Sequence, residues 1–303
     1  MLVELVPTSL RGTAFGMMGF LEKAAATIAT SAVVYYEDWR LPYIAVGSIS
    51  IAMAFASKRY LKMKTRIKKA AAEELSLVEI YKRISRIPVF FYLVAQGLFG
   101  AVPWDMMSFL LLLYEWRGFT KEQMVSFQIT SGLLSTIGAF LGGVLGDKFA
   151  PHPTGRIGVA LTSVSLGILF YGLFLLSETY KYAIVWNSLF YLCGGWTPAC
   201  ALRPICADLA QNQSERAQIV AGWILLEKTS SSVLGAPLVG FITKRLLDKN
   251  IFSTNQEKAR VLARNLFLLS TFFWGMCIYF FVLMGKAEKY RKMSQRRFID
   301  SHV

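Results

Sequence analysis

Histidine is almost missing from this sequence: His152 and His302 are the only two in 303 residues. They are a loop and a tail residue, too few for a histidine-built metal centre. The four cysteines do not make up the deficit. Cys193, Cys200 and Cys206 share one apolar stretch without metal-ligand spacing, and Cys277 stands apart; they read as small buried apolar residues. Acidic side chains are scarce, 19 against 33 Lys and Arg, and charged residues of either sign make up only 17% of the chain. A water-soluble domain of this length carries more charge. No nucleophile–base pair, metal cluster or nucleotide loop is visible, so nothing in the sequence supports an enzyme or a bound cofactor. The opening MLVELVPTSLRG has Glu4 and no basic leader, unlike a cleaved signal peptide.

What the chain has instead is apolar length. Hydrophobic residues make up 54% of it, and mean hydropathy is +0.44. They gather in eight blocks, about 13–36, 41–57, 88–113, 124–146, 157–177, 182–207, 217–242 and 263–285, separated by charged joints. Blocks of this length predict membrane-spanning helices, hence an all-α polytopic membrane protein with about eight spans.

The net charge of +14 is placed beside spans rather than on a nucleic-acid-binding face. Lys58–Arg86 carries ten Lys or Arg and Lys286–Arg297 six. Basic residues next to spans favour the cytoplasmic side. Placing both termini, the 58–86 and 147–156 loops and the tail in the cytoplasm gathers about 20 of the 33 basic residues there. One joint resists: 243–264 falls outside yet carries Lys244, Arg245, Lys249, Lys258, Arg260 and Arg264. The glycosylation-like Asn212-Gln213-Ser214 falls on the cytoplasmic side and is discounted.

The chain also repeats itself. SLRGTAFGMMGFLEKAAATIATSAVVYY aligns with SERAQIVAGWILLEKTSSSVLGAPLVGF at an offset of 205, so that Arg11 meets Arg216, Glu22 meets Glu227 and Lys23 meets Lys228. Six spans fit inside that offset. Repeats of this kind mark transporter folds built from two related halves. The organisation expected is 1–57 as the last two helices of a first half, 58–87 as a basic cytoplasmic linker, 88–285 as a complete six-helix bundle and 286–303 as a basic tail. Part of the linker reads as an amphipathic helix, suited either to an anionic-lipid surface or to solvent.

Two six-helix units with a long cytoplasmic linker resemble the major facilitator superfamily of secondary transporters. GGVLGDKFAPHPTGRI is similar to that family's loop motif through Gly143, Asp147, Lys148, Gly155 and Arg156, with an insertion at Ala150–Thr154 and Ile157 where the family has a basic residue. WRLPYI (Trp39–Ile44) resembles its entry to the sixth helix, and GAVPWDMMSFLLLLYEWRGFT resembles a subgroup from plants and protists without an assigned substrate. The resemblance covers the last eight of twelve helices. It implies alternating-access transport of a small solute, with a preceding segment or a completing chain supplying the rest. The alternative is a truncated, non-transporting relative that acts as a partner or is a degenerate copy.

Several residues are candidates for the transport path. Eleven residues separate Arg11 from Glu22, which at a 1.5 Å rise puts the carboxylate about 16 Å deep, near the middle of the hydrocarbon. An ionisable group there costs roughly 2.5–3.5 kcal/mol and normally faces a wet cavity or a partner. The same holds for Glu227. Neighbouring residues project about 100° apart, so one member of each Glu-Lys pair is expected to face the cavity and the other a neighbouring helix. Glu22 and Glu227 are candidates for proton coupling or gating, with Lys23 and Lys228 as counter-charges or anion contacts; structural interhelix ion pairs are the competing reading. Gly97, Gly100 and Pro103 predict a broken helix around Gln96, Trp104 and Asp105, facing a cavity or merely kinked. Arg203, between Pro198 and Pro204, suits an anionic substrate or an acidic partner. The resemblance implies that Asp147 packs near Gly12 as an inner latch, with Arg11 adding a charge pair.

Overall fold

The computed structural model describes residues 6–35, 40–64, 82–152, 155–210, 213–249 and 254–300. Among these the chain is helical and has no strand. Its elements are α1 (Arg11–Tyr35), α2 (Arg40–Lys64), α3 (Pro88–Gly100), α4 (Val102–Met106), α5 (Leu110–Trp116), α6 (Lys121–Phe149), α7 (Gly155–Leu176), α8 (Tyr180–Cys193), α9 (Arg203–Leu209), α10 (Gln213–Lys249) and α11 (Asn255–Asp300). Among the described residues, α3, α4 and α5 run on as one interrupted helical unit, and α8 and α9 as another, so eight helical units stand where the sequence has eight apolar blocks.

Among the described residues, four helical stretches are long and apolar enough to cross a membrane: Pro88–Trp116, Lys121–Phe149, Gly155–Leu176 and Asn255–Arg291. The Glu-Lys pairs lower the mean hydropathy of α1 and α10. The break after Cys193 divides the 180–209 unit into shorter pieces.

Local chemistry explains the element ends. α6 opens on a capping box in which Thr120 Oγ1 accepts from the Gln123 amide (3.3 Å) and Gln123 Oε1 accepts from the Thr120 amide (3.0 Å). α3 starts with Pro88 in its first turn, where a missing N–H is harmless. The expected break near Gly100 and Pro103 is present as a slip in bonding. The Trp104 amide bonds the Ala101 carbonyl (3.1 Å). The freed Gly100 carbonyl accepts Trp274 Nε1 (3.2 Å), and Leu98 O accepts Ser230 Oγ (2.7 Å). Side chains of neighbouring helices thus satisfy backbone groups that a bilayer would leave bare. The second break, at Gly194–Thr197, passes into a π-helical turn over Pro198–Leu202. Its loose end is held by Ser163 Oγ donating to Cys193 O (2.7 Å).

The buried core lies within residues 84–284, with Leu93, Tyr171, Phe174, Phe190 and Phe281 almost fully enclosed. α1 lies along α6 at the edge of this core. α2 touches the rest of the chain mainly through α1. Its Tyr43, Ile49, Met53 and Phe55 are all exposed. Most of the basic linker helix expected in 58–87 lies outside the described residues, as do Trp39, Asn212 and the end of the Ala150–Thr154 insertion. α11 continues beyond residue 285 as far as Asp300.

Candidate functional site

Two clusters hold nearly all the residues singled out from the sequence. The first is a cavity of about 400 Å³ between α1, α3, α4, α9, α10 and α11, a volume in the range of small-molecule sites. Glu22, Lys23, Gln96, Trp104, Arg203, Glu227 and Lys228 all line it. The two Glu-Lys pairs therefore meet one space from opposite sides. All four charged side chains line the cavity, which is broad enough to take side chains projecting about 100° apart, and Glu22 also meets a neighbouring helix through Arg203.

Arg203, the first residue of α9, reaches back to α1. Its Nη2 lies 3.4 Å from Glu22 Oε2. Of the two readings for Arg203, the acidic partner is therefore present. Three cations and two carboxylates line the cavity, leaving one formal positive charge. Aromatic rings from different helices form the rest of the wall. Trp104 packs on Phe190 (5.4 Å between centroids) and edge-on to Trp274 (6.2 Å). Gln96 is buried; its Nε2 donates to Leu93 O (2.9 Å), and its Oε1 accepts from Cys277 Sγ (3.6 Å).

Trp223 is nearly enclosed, and among the described residues its Nε1 has no acceptor. Gly97 is what admits the ring: a Cβ there would sit 2.8 Å from Trp223 Nε1. Sequence reasoning missed Trp223, although it lies four residues before Glu227 and so on the same helical face. Phe15 and Gly19 precede Glu22 and Lys23 at helical spacing and line the same cavity. Trp274 and Cys277 carry no signal beyond apolarity.

Asp105 is not brought to the cavity. It lies against α10, where a Cβ on Gly235 would fall 2.7 Å from its Cβ. Adjacent to Trp104, it projects from a different side of the helix, the side that faces Gly235 of α10.

The second cluster is at the C-terminal end of α6, around Asp147. Asp147 accepts from the Gly12 amide (2.8 Å), the Thr13 amide (2.6 Å) and Thr13 Oγ1 (2.7 Å), and from Arg156. The carboxylate thus sits on the unpaired amides at the start of α1, where the helix dipole favours negative charge. Close backbone approach makes this contact possible. A Cβ on Gly143 would be 2.2 Å from Gly12 O, and one on Gly12 would be 2.6 Å from Gly143 O. Gly155 opens α7 at φ +50°, a conformation that suits glycine, and so sets Arg156 beside Asp147. Lys148 is exposed. Arg216 donates to Ala207 O (3.3 Å).

Arg11 does not pair with Asp147. Its Nη1 lies 2.6 Å from Asp208 Oδ1, at the end of α9. The Asp147 oxygens already receive four donors, and Arg156 supplies the positive charge expected of Arg11.

The description "Major Facilitator Superfamily" belongs to the family model that matches residues 1–236. No curated protein gives a significant sequence match. Among solved structures, the fold is similar to a bacterial homologue of the human lysosomal transporter Spinster, in an inward-facing and unoccupied conformation. That similarity has a TM-score of 0.61 at 17% identity and covers 94% of this chain and 68% of that one. With apolar helices of spanning length, a shared fold and a family model matched over most of its residues, this integral multi-pass membrane protein belongs to the major facilitator superfamily of transporters.

Proposed function

We propose that the protein is a secondary active transporter that moves a small solute by alternating access. The observation that carries this reading is the cavity itself, where both Glu-Lys pairs converge with Arg203 between two interrupted helices. Glu22 and Glu227 serve as coupling or gating carboxylates, with the proton as the coupling ion. Lys23, Lys228 and Arg203 balance them and contact solute, and Gln96 and Trp104 shape the wall. Asp147, with Gly143, Gly155 and Arg156, forms the inner latch; its engagement on α1 supports a cavity closed at that end. In this reading both termini and the basic 58–87 linker, close to anionic lipid, face the cytoplasm.

A specific observation favours a second reading. The exposed apolar side chains of α2 suit further helices, from a preceding segment or a completing chain. Without them the protein would be a non-transporting partner or a degenerate copy.

The test is uptake of radiolabelled amino acids, sugars, organic acids and nucleosides into vesicles holding the native protein, with and without a proton gradient. Accumulation of at least one solute, reduced about tenfold or more by Glu227→Gln at unchanged thermal midpoint, is expected. Folded protein without flux for any of these solutes overturns the transporter reading. Flux unaffected by Glu227→Gln, with lowered stability, makes the Glu-Lys pairs structural.

A further inference from the structure

The end of the bundle opposite Asp147 holds a second cavity, of about 350 Å³, between the end of α7, Arg117 after α5 and the first turns of α11. Its walls are mostly apolar, with Leu175, Leu176 and Phe267 among them, yet three guanidiniums reach it: Arg117, Arg260 and Arg264. Arg260 and Arg264 are one helical turn apart on α11 and so share a face. They belong to the joint whose basic residues run against the charge rule that orients the rest of the chain.

Internal partners use only part of this positive charge. Arg117 Nη2 donates to the Leu175 carbonyl, whereas its Nη1 is buried and without an acceptor among the described residues. Buried donors normally have partners, so the Arg117 charge stands beside the cavity only partly satisfied. Arg260 Nε donates to Glu178 Oε1 (2.9 Å), but both side chains are largely exposed. That pair exchanges readily with solvent, and it keeps the Glu178 carboxyl below its usual range. Arg264 is exposed. Leu176, 75% exposed at the mouth, leaves an apolar way in.

We infer that this cavity binds a phosphate group, with Arg117, Arg260 and Arg264 on the phosphate and the apolar wall open to any chain attached to it. Guanidiniums match phosphate oxygens in pairs. An apolar wall beneath a cationic rim is the complement of a phosphorylated amphiphile, the headgroup of an anionic lipid; free phosphate would use the rim alone. The site lies apart from the central cavity and does not depend on the transport reading.

The test is the thermal midpoint of the purified full-length protein, titrated separately with dihexanoyl phosphatidate, inorganic phosphate and dihexanoyl phosphatidylcholine. A saturable rise with phosphatidate is expected. Arg264→Gln should weaken it by about tenfold, the loss of one charge-assisted hydrogen bond. Glu178→Gln, which releases Arg260, should strengthen it. Arg117→Gln is expected to abolish binding but also removes a bond to the Leu175 backbone, so the exposed Arg264 decides the matter. An equal rise with inorganic phosphate assigns the site to the free anion, and a rise with phosphatidate alone assigns it to a lipid headgroup. No saturable rise with either anion, an equal rise with phosphatidylcholine, or indifference to Arg264→Gln overturns the proposal.

Discussion

Asp147 Oδ2 lies 2.6 Å from the amide of Thr13, a residue 134 positions earlier in the chain. One carboxylate on α6 thereby terminates the first turn of α1. Its strength comes from charge on amides that have no helical partner, reinforced by Arg156. Asp147→Asn keeps the shape but turns one oxygen into a donor facing donors. The expected loss is about 1–3 kcal/mol of latch stability. Spin labels at the exposed Leu10 and Phe149 should report a wider α1–α6 separation, with solute affinity changed less than about twofold, as a shift between states rather than of the site requires. A large loss of affinity at unaltered separation contradicts the latch.

The latch needs bare backbone beneath it. Gly143→Ala would put a methyl group 2.2 Å from Gly12 O and 3.0 Å from Gly16 Cα. Neither neighbour is a flexible side chain, so the helices must part. Overpacking of this kind costs about 1–3 kcal/mol, measurable as a lower thermal midpoint. Gly275→Ala is the control, since nothing lies within 4 Å of its added Cβ and alanine favours a helix interior over glycine; an equal fall in both would show that the contact with Gly12 does not govern the effect.

What could be read from the sequence was what stands out against an apolar background. The two Glu-Lys pairs and the Asp147 loop are polar interruptions of long runs, and the repeat at an offset of 205 assigned the pairs equivalent positions. The helix interruption at Gly100 and Pro103 announced itself through residues that cannot hold helical bonding. Pairings across helices were not legible. Arg11 chose Asp208 because the start of α1 meets the end of α9, a tertiary fact without local trace. Asp105 lies off the cavity because the rotation of its helix turns it towards Gly235 of α10, which no local pattern records. Trp223 and Trp274 were hidden among apolar residues, where a ring lining a cavity and a ring packed in a core have the same surroundings in sequence.

The Glu22–Arg203 contact separates structural from functional charge. The Glu22 side chain is 68% exposed and the pair is 3.4 Å apart, so water competes well at the carboxylate end. Such pairs contribute about 0–1 kcal/mol. Glu22→Gln should leave the thermal midpoint nearly unchanged while lowering proton-driven uptake. A double-mutant cycle with Arg203→Gln that returns a coupling above about 2 kcal/mol would instead identify a structural pair.

Gly97 tests whether the cavity takes solute at its Trp223 wall. Alanine there would bring a methyl group 2.8 Å from Trp223 Nε1 and 3.5 Å from Glu227 Oε2. The indole is rigid and nearly enclosed, so relief comes from a shift of the ring or of α3, and the space beside Glu227 shrinks. A stability loss of about 1 kcal/mol is expected from the overpacking. The effect on transport should depend on size: uptake of the larger of two solutes carried by the native protein falls more than that of the smaller, because lost volume excludes bulk before it alters charge. Competition between the two solutes, measured in native and Gly97→Ala vesicles, reads this ratio directly. A ratio that stays constant while both rates fall would place the solute path away from Trp223 and leave Gly97 as a packing residue.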